Sequence, residues 1–234
     1  MSDKPNRRVD MATSSSGDKG TRNLVIAMVA FIVVVGVIFS IISNRASSNY
    51  AIPAAVSEAD GYGIVLNPTA TPKIDVYVDY QCPACRTFEI LNGGYLNEVI
   101  AQNKAKVVFH PMTFIGPESI LAANAAACSA DESKFVDMNL ALFQNQPSGE
   151  NSGRWTNDSL IAIGNAVGIT SNTFKECINE GKYIKWTRNI TVESGKANVN
   201  STPTVLVNGK PLDRNTEYGD PVKFKAALAA AGVQ

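Results

Sequence analysis

The feature that most constrains the fold is a strand pattern that runs directly into a Cys-x-x-Cys motif. Residues Lys73–Tyr80 alternate apolar and polar side chains, and this period of two is typical of a β-strand. Cys82 and Cys85 follow at once, and the apolar residues after them recur at roughly helical spacing. The pattern therefore predicts a strand, a turn that carries both cysteines, and a helix that begins at the motif.

The position of Cys82 at the start of that helix predicts a readily ionised sulfur. As the N-cap residue, it can accept hydrogen bonds from the free N–H groups of Ala84 and Cys85, and the helix dipole adds positive potential there. Pro83 then occupies the first helical position, where its missing N–H is not needed. These effects predict a pKa for Cys82 well below about 8.5, whereas Cys85, one turn inward, should be more buried.

A zinc site and a structural disulfide are the alternatives for the Cys82–Cys85 pair. Zinc needs about four ligands, but no second cysteine pair has ligand spacing and the only histidine, His110, is distant in sequence. A structural bridge across so short a loop would constrain the unfolded chain very little. The sequence therefore favours a redox-active pair over either alternative, and we expect neither a metal nor another cofactor.

The remaining patterns predict a β-α-β unit, a helical block and a β-β-α end. A short first strand is expected at Ile64–Leu66 and another at Lys106–His110. Gly93-Gly94 should kink or break the helix that follows the cysteine motif. The helical block spans about 116–200, and its pieces are predicted near 132–145, 157–168, 171–180 and 183–196. The predicted end consists of a strand at Thr204–Val207, a turn at Asn208-Gly209, a strand around Lys210–Leu212 and a helix at Pro221–Ala231.

Residues Leu24–Ile42 form an apolar run of 19 residues without a charge. At a rise of 1.5 Å per residue, the run is about long enough to cross a hydrocarbon core of roughly 30 Å. Basic residues cluster before it, and the next positive charge after Arg45 is Lys73, so the N-terminus is predicted in the cytoplasm and the rest outside. A cleaved signal peptide is the alternative, although its apolar region is normally shorter.

These patterns divide the chain into regions, and its charge limits the partners. We predict a cytoplasmic tail at 1–23, a transmembrane helix at 24–42, a linker at 43–60 and a folded domain at 61–234, with its helical insertion at about 116–200. The 21 Lys and Arg residues balance the 21 Asp and Glu residues, so composition gives no basis for nucleic-acid binding. The predicted membrane contact is Leu24–Ile42.

Two segments resemble the thioredoxin fold, namely Val78–Cys85 and Ser201–Thr204, which precedes a late strand. The helical insertion and the proline after the first cysteine resemble the DsbA-like branch, most of all its anchored, single-chain bacterial members. The resemblance covers about residues 60–234 and implies an α/β thioredoxin-like fold with an inserted helical subdomain. One departure is Val76. Many members carry a buried acid at this position, which moves protons on and off the resolving thiol. Here Asp79 either takes over that proton transfer or is a strand-end or capping acid.

The resemblance also implies roles for single residues. Cys82 would be the exposed nucleophile, Cys85 the resolving thiol and Pro203 a cis-proline that faces them. Only about 5–6% of X–Pro bonds are cis, so a trans bond is the ordinary expectation for Pro203. The family resemblance reverses that expectation. A cis bond would expose the backbone of Thr202, which could pair with an extended substrate. The expected substrate-binding residues are Thr202, Pro83 and Ala84.

Three further residues carry interpretations of their own. Cys128 and Cys177 each lie on an apolar helical stripe, and in an oxidising compartment we expect a structural disulfide between them. Two buried free thiols and a second redox-active pair remain open. His110 precedes a proline at a strand end and is predicted to be a strand-edge residue rather than a general base.

Together these inferences predict a thiol–disulfide oxidoreductase in the plasma membrane, with its catalytic domain outside the cytoplasm. We expect an oxidase that introduces disulfides into exported proteins with free cysteines. By resemblance, a quinone-linked membrane protein would reoxidise it. A disulfide reductase or isomerase is the second hypothesis, and a non-catalytic thioredoxin-like module that binds envelope proteins is the third. The redox potential of the pair separates the first two.

Overall fold

The computed structural model describes residues 23–36 and 50–233, which belong to two compact units, with the division along the chain between residues 49 and 50. In the first unit, α1 comprises residues 23–36, and its apolar side chains are exposed. Among the described residues, no helix has both the length and the apolar character needed to cross a membrane. The end of the predicted transmembrane helix, 37–42, lies outside the described residues, as do 1–22 of the predicted tail and 43–49 of the predicted linker.

Within residues 50–233, the strands form one six-stranded sheet in the order β1-β2-β4-β3-β5-β6. The strands are β1 Val56–Ser57, β2 Gly63–Leu66, β3 Lys73–Val78, β4 Lys106–Pro111, β5 Thr204–Val207 and β6 Lys210–Pro211. β3 pairs parallel with β4 and antiparallel with β5, so it lies at the centre of the sheet. The predicted strand before the cysteine motif is confirmed, and all of its residues after Lys73 are buried.

The helices of the same unit include the predicted helical block. They are α2 Pro83–Phe88, α3 Gly94–Ala101, α4 Pro117–Asp131, α5 Phe135–Gln144, α6 Asn157–Ala166, α7 Asn172–Asn179, α8 Ile184–Lys196 and α9 Pro221–Ala230. The helical insertion runs from α4 to α8, between β4 and β5, which confirms the predicted order of elements. Its core includes large buried aromatic side chains such as Phe143, Phe174 and Trp186.

The helix after the cysteine motif changes its hydrogen-bonding pattern at the predicted glycine pair but does not break. A π-helical segment, Glu89–Gly93, joins α2 to α3, and both Gly93 and Gly94 keep helical backbone angles. A π-segment absorbs an extra residue without ending the helix, so the predicted irregularity is confirmed and a break is not.

The folded unit begins before residue 61, which corrects the predicted linker. β1 pairs antiparallel with β2, so that Val56 lies opposite Ile64, and a short 3₁₀ helix follows at Glu58–Asp60. The strand predicted at Ile64–Leu66 is therefore the second one along the chain. Since β1 has only two residues, it is too short to show a period-two pattern in the sequence.

His110 is not a strand-edge residue, and that prediction was wrong. Its strand, β4, lies between β2 and β3, and its side chain is only 1% exposed. The Nε2 atom of His110 lies 3.1 Å from Oδ1 of Asp75, and its ring stacks on Tyr77 with the ring centres 4.0 Å apart. Burial lowers the pKa of His110, although Asp75 acts in the opposite direction.

Candidate active site

The two motif cysteines lie where β3 delivers the chain to the start of α2. Cys82 is the N-cap residue, with extended backbone angles, and Pro83 is the first residue of the helix. The carbonyl of Cys82 accepts hydrogen bonds from the N–H groups of Cys85 and Arg86, at 3.0 and 3.1 Å, which begins the helix. The predicted position of the motif at a helix start is therefore observed.

The Cys82 sulfur is half-buried and favours its ionised form. Its pKa is lowered to about 6, chiefly because the Cys85 thiol donates a hydrogen bond to the sulfur. Burial acts in the opposite direction. The backbone amides of Cys85 and Ala84 and the side chain of Thr202 lower the pKa further. The N–H groups of Cys85 and Ala84 act on the sulfur as the sequence predicts, although neither makes a capping hydrogen bond of normal geometry. The predicted direction of the pKa is nevertheless correct.

Cys85 lies one turn further along the helix and favours its protonated form. Its side chain is 0% exposed, and the backbone N–H of Asp79 lies 3.5 Å from its sulfur. Burial is the main cause that raises the pKa of Cys85 well above its ordinary value, and the neighbouring Cys82 raises it further. Both thiols are free in the structure. The site thus combines an easily ionised sulfur with one that holds its proton.

The loop before β5 brings a residue distant in sequence to the Cys82 sulfur. The thiol of Cys82 lies 3.7 Å from the carbonyl oxygen of Thr202, and the two residues are 120 positions apart. The Thr202–Pro203 peptide bond is cis. Pro203 is buried, and its carbonyl oxygen accepts hydrogen bonds from the Tyr218 hydroxyl at 2.9 Å and from Nη2 of Arg214 at 2.8 Å.

An open groove lies between α2 and this loop, and we call it the α2 groove. Its lining is mostly apolar and includes Ala84, Phe88, Leu91 and Pro203, with Arg214 among its polar members. Of the predicted substrate-binding residues, Ala84 lines the groove, Pro83 is exposed beside it, and Thr202 precedes Pro203. Sequence reasoning missed Leu91 and Arg214, because neither belongs to a motif.

The insertion supports the back of the site through the loop between α5 and α6. The side-chain amide of Gln146 donates to the carbonyls of Tyr80 and Cys82, at 2.6 and 3.1 Å. Nearby, Oε1 of Gln81 accepts a hydrogen bond from the backbone N–H of Asn151 at 2.6 Å. These bonds hold the turn that carries Cys82 against the helical block.

The carboxylate of Asp79 holds loops together rather than facing the sulfurs. It accepts hydrogen bonds from the Ser119 hydroxyl at 2.6 Å, the Gln81 N–H at 2.9 Å and the Ile115 N–H at 3.1 Å. Burial raises the pKa of Asp79 despite these bonds. Its backbone N–H hydrogen-bonds with Cys85, whereas its carboxylate hydrogen-bonds with other residues, so the geometry favours the capping interpretation of Asp79 over proton transfer.

A second buried acid, Glu89, follows Cys85 by one helical turn and was missed by sequence reasoning. It is 3% exposed, and its Oε2 atom has no hydrogen-bond partner among the residues that the structure describes. Burial raises the pKa of Glu89 to about 7. A Cβ atom on Gly93 would lie 2.5 Å from Oε1 of Glu89, so this glycine makes room for the acid. The spacing of four residues from Cys85 was the available signal.

The other two cysteines form a disulfide between α4 and α7. The Cα atoms of Cys128 and Cys177 lie 5.9 Å apart, and their side chains are 1% and 5% exposed. The structure therefore joins the two cysteines that the sequence predicted to be paired. Across residues 23–36 and 50–233, no cluster of three or more His, Cys, Asp or Glu residues has a geometry that could hold a metal ion.

Comparison with known proteins places this site in a family. A thioredoxin family model (Thioredoxin_4) matches residues 61–224. The disulfide bond formation protein D of Bacillus subtilis (strain 168) is 26% identical over 147 residues, which cover 61% of this chain and 65% of that relative, slightly less than two thirds of its length.

Solved structures show the same architecture. The reduced form of the disulfide bond oxidoreductase DsbG of Mycobacterium tuberculosis is 28% identical, with a TM-score of 0.59, over 71% of this chain and 82% of that one. The thiol–disulfide oxidoreductase MdbA of Actinomyces oris has a TM-score of 0.66 over 79% of this chain and 94% of that one, at 22% identity. These similarities confirm the thioredoxin-like fold with a helical insertion.

Proposed function

Since the chain belongs to the DsbA-like, thioredoxin-fold family of thiol–disulfide oxidoreductases, we propose that it works as an oxidase that introduces disulfide bonds into exported proteins. One observation carries this proposal: the two motif sulfurs differ in their preferred state of protonation. Cys82 has a pKa lowered to about 6, whereas the pKa of the buried Cys85 is raised. Such a difference suits a nucleophile and a resolving thiol.

The proposed cycle starts from the oxidised Cys82–Cys85 pair. A substrate thiolate attacks the Cys82 sulfur, the bond between the two cysteines breaks, and Cys85 leaves and takes up a proton because its pKa is high. A second substrate thiolate then attacks the substrate sulfur of the mixed disulfide. Cys82 leaves as a thiolate, which its lowered pKa favours. Two electrons have passed from the substrate to the enzyme. Of the two protons that the substrate thiols lost on ionisation, one is now on Cys85 and the other is in the solvent.

The direction of transfer follows from the state that the protein stabilises. A low pKa for Cys82 stabilises the reduced pair relative to the disulfide, and this makes the oxidised pair a stronger oxidant. The lowered pKa of Cys82 acts in the direction of an oxidant. We therefore expect a reduction potential above the thioredoxin value of about −270 mV.

The loop around Pro203 supplies the proposed substrate platform. The carbonyl of Thr202 lies beside the Cys82 sulfur, so an extended substrate that paired with the Thr202 backbone would present its cysteine there. Pro83 and Ala84 are exposed at the start of α2 and form the opposite side of this platform. Pro203 is proposed to hold the platform against the reactive sulfurs.

We further propose that the catalytic domain lies outside the cytoplasm and is anchored by Leu24–Ile42, with the tail 1–23 inside. The support is the uncharged length of this run and the basic residues before it. The buried Cys128–Cys177 disulfide fits an oxidising compartment. A quinone-linked membrane protein is the proposed reoxidant. Labelling of Cys82 by a membrane-impermeant maleimide on intact cells tests the location, and labelling only after lysis would contradict it.

Equilibration of the purified protein with glutathione buffers of stepped composition tests the function. The expected result is a Cys82–Cys85 couple that is more oxidising than thioredoxin and that oxidises a reduced, unfolded protein in a single turnover. A potential at or below that of thioredoxin would instead favour the reductase. No transfer to any thiol substrate would favour the non-catalytic module.

A further inference from the structure

Arg214 is a cation in the α2 groove to which the redox cycle assigns no role. Its side chain is exposed, yet two hydrogen bonds fix its position. Nη2 donates to the carbonyl of Pro203 at 2.8 Å, and Nε donates to the hydroxyl of Tyr218 at 3.4 Å. The Tyr218 hydroxyl itself donates to the same carbonyl at 2.9 Å, so the guanidinium is attached to the loop that faces Cys82.

The guanidinium keeps donors available for a ligand. An arginine side chain has five N–H donors, and the two bonds just described use two of them. None of the ion pairs within residues 50–233 includes Arg214. The nearby carboxylate of Asp213 accepts hydrogen bonds from Asn215 and Thr216, and that of Glu217 accepts one from the N–H of Asp213. Neither acid forms an ion pair with Arg214, so the guanidinium has no carboxylate partner within residues 50–233.

The charge also acts at the reacting sulfur. The pKa of Arg214 is raised, first by its bond to Tyr218, and the negative charge of the Cys82 thiolate is among the further causes. Because such an interaction is reciprocal, the guanidinium stabilises negative charge at that end of the groove. A second anion in the groove would also be stabilised by the positive charge of Arg214.

We propose that Arg214 selects substrate segments that carry an aspartate or glutamate next to the reacting cysteine. This inference deepens the proposed function and rests on it. An extended peptide rises about 3.3 Å per residue, so side chains one or two residues from the cysteine lie within roughly 7 Å of it along the strand. Arg214 is hydrogen-bonded to the carbonyl of Pro203, the residue next to the proposed platform Thr202, so it is placed beside the segment that flanks the cysteine. A carboxylate there can accept the free guanidinium donors.

The reaction used for the test needs no external oxidant. The oxidised enzyme reacts once with a dithiol peptide: the Cys82–Cys85 bond breaks, a bond between the two peptide sulfurs forms, and two electrons pass to the enzyme. Of the two thiol protons, one goes to Cys85 and the other to the solvent. Three such dithiol peptides are compared. They differ only in the residues on either side of the cysteine that reacts with Cys82, which are aspartate, asparagine or lysine. Comparison of their second-order rate constants gives the preference of the enzyme for a charge.

The variants at Arg214 separate selection from damage to the loop. We expect the native enzyme to prefer the aspartate over the lysine peptide by about 2- to 5-fold, in the range of a single exposed ion pair, and less at high salt. Arg214→Gln should abolish the preference, Arg214→Lys should keep part of it, and Arg214→Glu should reverse it. Arg188→Gln removes an exposed arginine of α8 that lies outside the groove, and it should retain the native preference.

Loss of rate that is equal for all three peptides in the Arg214 variants would overturn the proposal, since a purely structural role predicts that result. An absence of charge preference in the native enzyme would overturn it too. A second assay remains valid if no dithiol peptide is oxidised. The reduced enzyme attacks the same peptides with their cysteine activated as a thionitrobenzoate mixed disulfide, so that Cys82 binds the peptide sulfur and thionitrobenzoate leaves. Failure of only the first assay would refute the oxidase, whereas the second assay still decides the role of Arg214.

Discussion

The active-site turn and the α4–α7 bridge each hold two cysteines, in opposite surroundings. Cys82 is half-buried at a helix start, and its partner Cys85 follows three residues later on the same helix. Cys128 and Cys177 are buried within helices, and 49 residues separate them. The first pair is free and the second is bonded in the same structure.

The difference shows what makes a cysteine pair reactive. A substrate thiolate has to reach one sulfur, and that sulfur has to leave easily as a thiolate. Cys82 meets both conditions, because part of its surface is open and its pKa is lowered. Cys128 and Cys177 are closed to such attack, and their bond instead restricts a long loop of the unfolded chain. We therefore expect function to depend on the first pair and stability on the second.

The largest expected effect is loss of activity in Cys82→Ser. Thiol oxidation should fall to the uncatalysed rate, measured with a reduced, unfolded protein. Serine is a favourable N-cap residue, so the free energy of unfolding should stay the same or rise. Cys85→Ser is the matched variant and should accumulate mixed disulfides with substrate. Full activity in Cys82→Ser would remove the distinction between the two regions.

Removal of the bridge should act on stability alone. In the double variant Cys128→Ala/Cys177→Ala, we expect the free energy of unfolding to fall by about 3–4 kcal/mol, since the lost bond closes a loop of 49 residues. The thermal midpoint should fall by roughly 10 °C. Below that midpoint, single-turnover oxidation should match the native rate. A rate that falls while circular dichroism shows a folded protein would mean that the bridge relays electrons.

A buried acid should make the active-site region sensitive to pH. The pKa of Glu89 in the folded protein is about 7, above its ordinary value, so the folded state binds this proton more tightly than the unfolded state does. Its stabilising effect is complete below about pH 4.5 and is lost as the pH rises through 7, by up to about 3 kcal/mol.

Glu89→Gln removes this titration while it keeps the shape of the side chain. The variant should equal the native protein in stability near pH 4 and exceed it at pH 8, as measured by urea unfolding across that range. The bridge variant is the control, because its stability deficit should not change over the same range. Equal pH profiles for Glu89→Gln and the native protein would show that Glu89 is not the titrating group.

The sequence predicted those features whose signal lies in neighbouring residues. The alternation in β3, the helical spacing of the insertion and the Cys82–Cys85 motif are all local patterns, and each is present in the structure. The family resemblance supplied the cis-proline, Pro203, that faces the cysteines. The contact between Thr202 and Cys82, which joins distant segments, came from the structure.

The features it missed depend on partners far along the chain. β1 is defined by its pairing with β2, and His110 is buried because β3 supplies Asp75 and Tyr77 beside it. Arg214 gains its position from the carbonyl of Pro203, across the β5–β6 hairpin. Contacts between distant segments leave no periodic pattern in the sequence, so the roles of these residues could be identified only from the structure.

The smallest effect that still separates the two regions concerns the cap of α7, the helix that carries Cys177. The Ser171 hydroxyl accepts a hydrogen bond from the N–H of Phe174 at 3.1 Å and donates one to Glu132 at 2.7 Å. Ser171→Ala should therefore lower the free energy of unfolding by about 1 kcal/mol. Ser171→Thr keeps the hydroxyl and should lose less.

The same variant should leave the reactive sulfur unchanged, because α7 contributes no residue that contacts Cys82. The measurement is the rate of Cys82 alkylation by iodoacetamide against pH, whose midpoint should stay at about 6 in the native protein and in Ser171→Ala. A shifted midpoint would show that strain in the bridge region reaches the active-site turn, through contacts such as those of Gln146, and the two regions would then have to be treated as one.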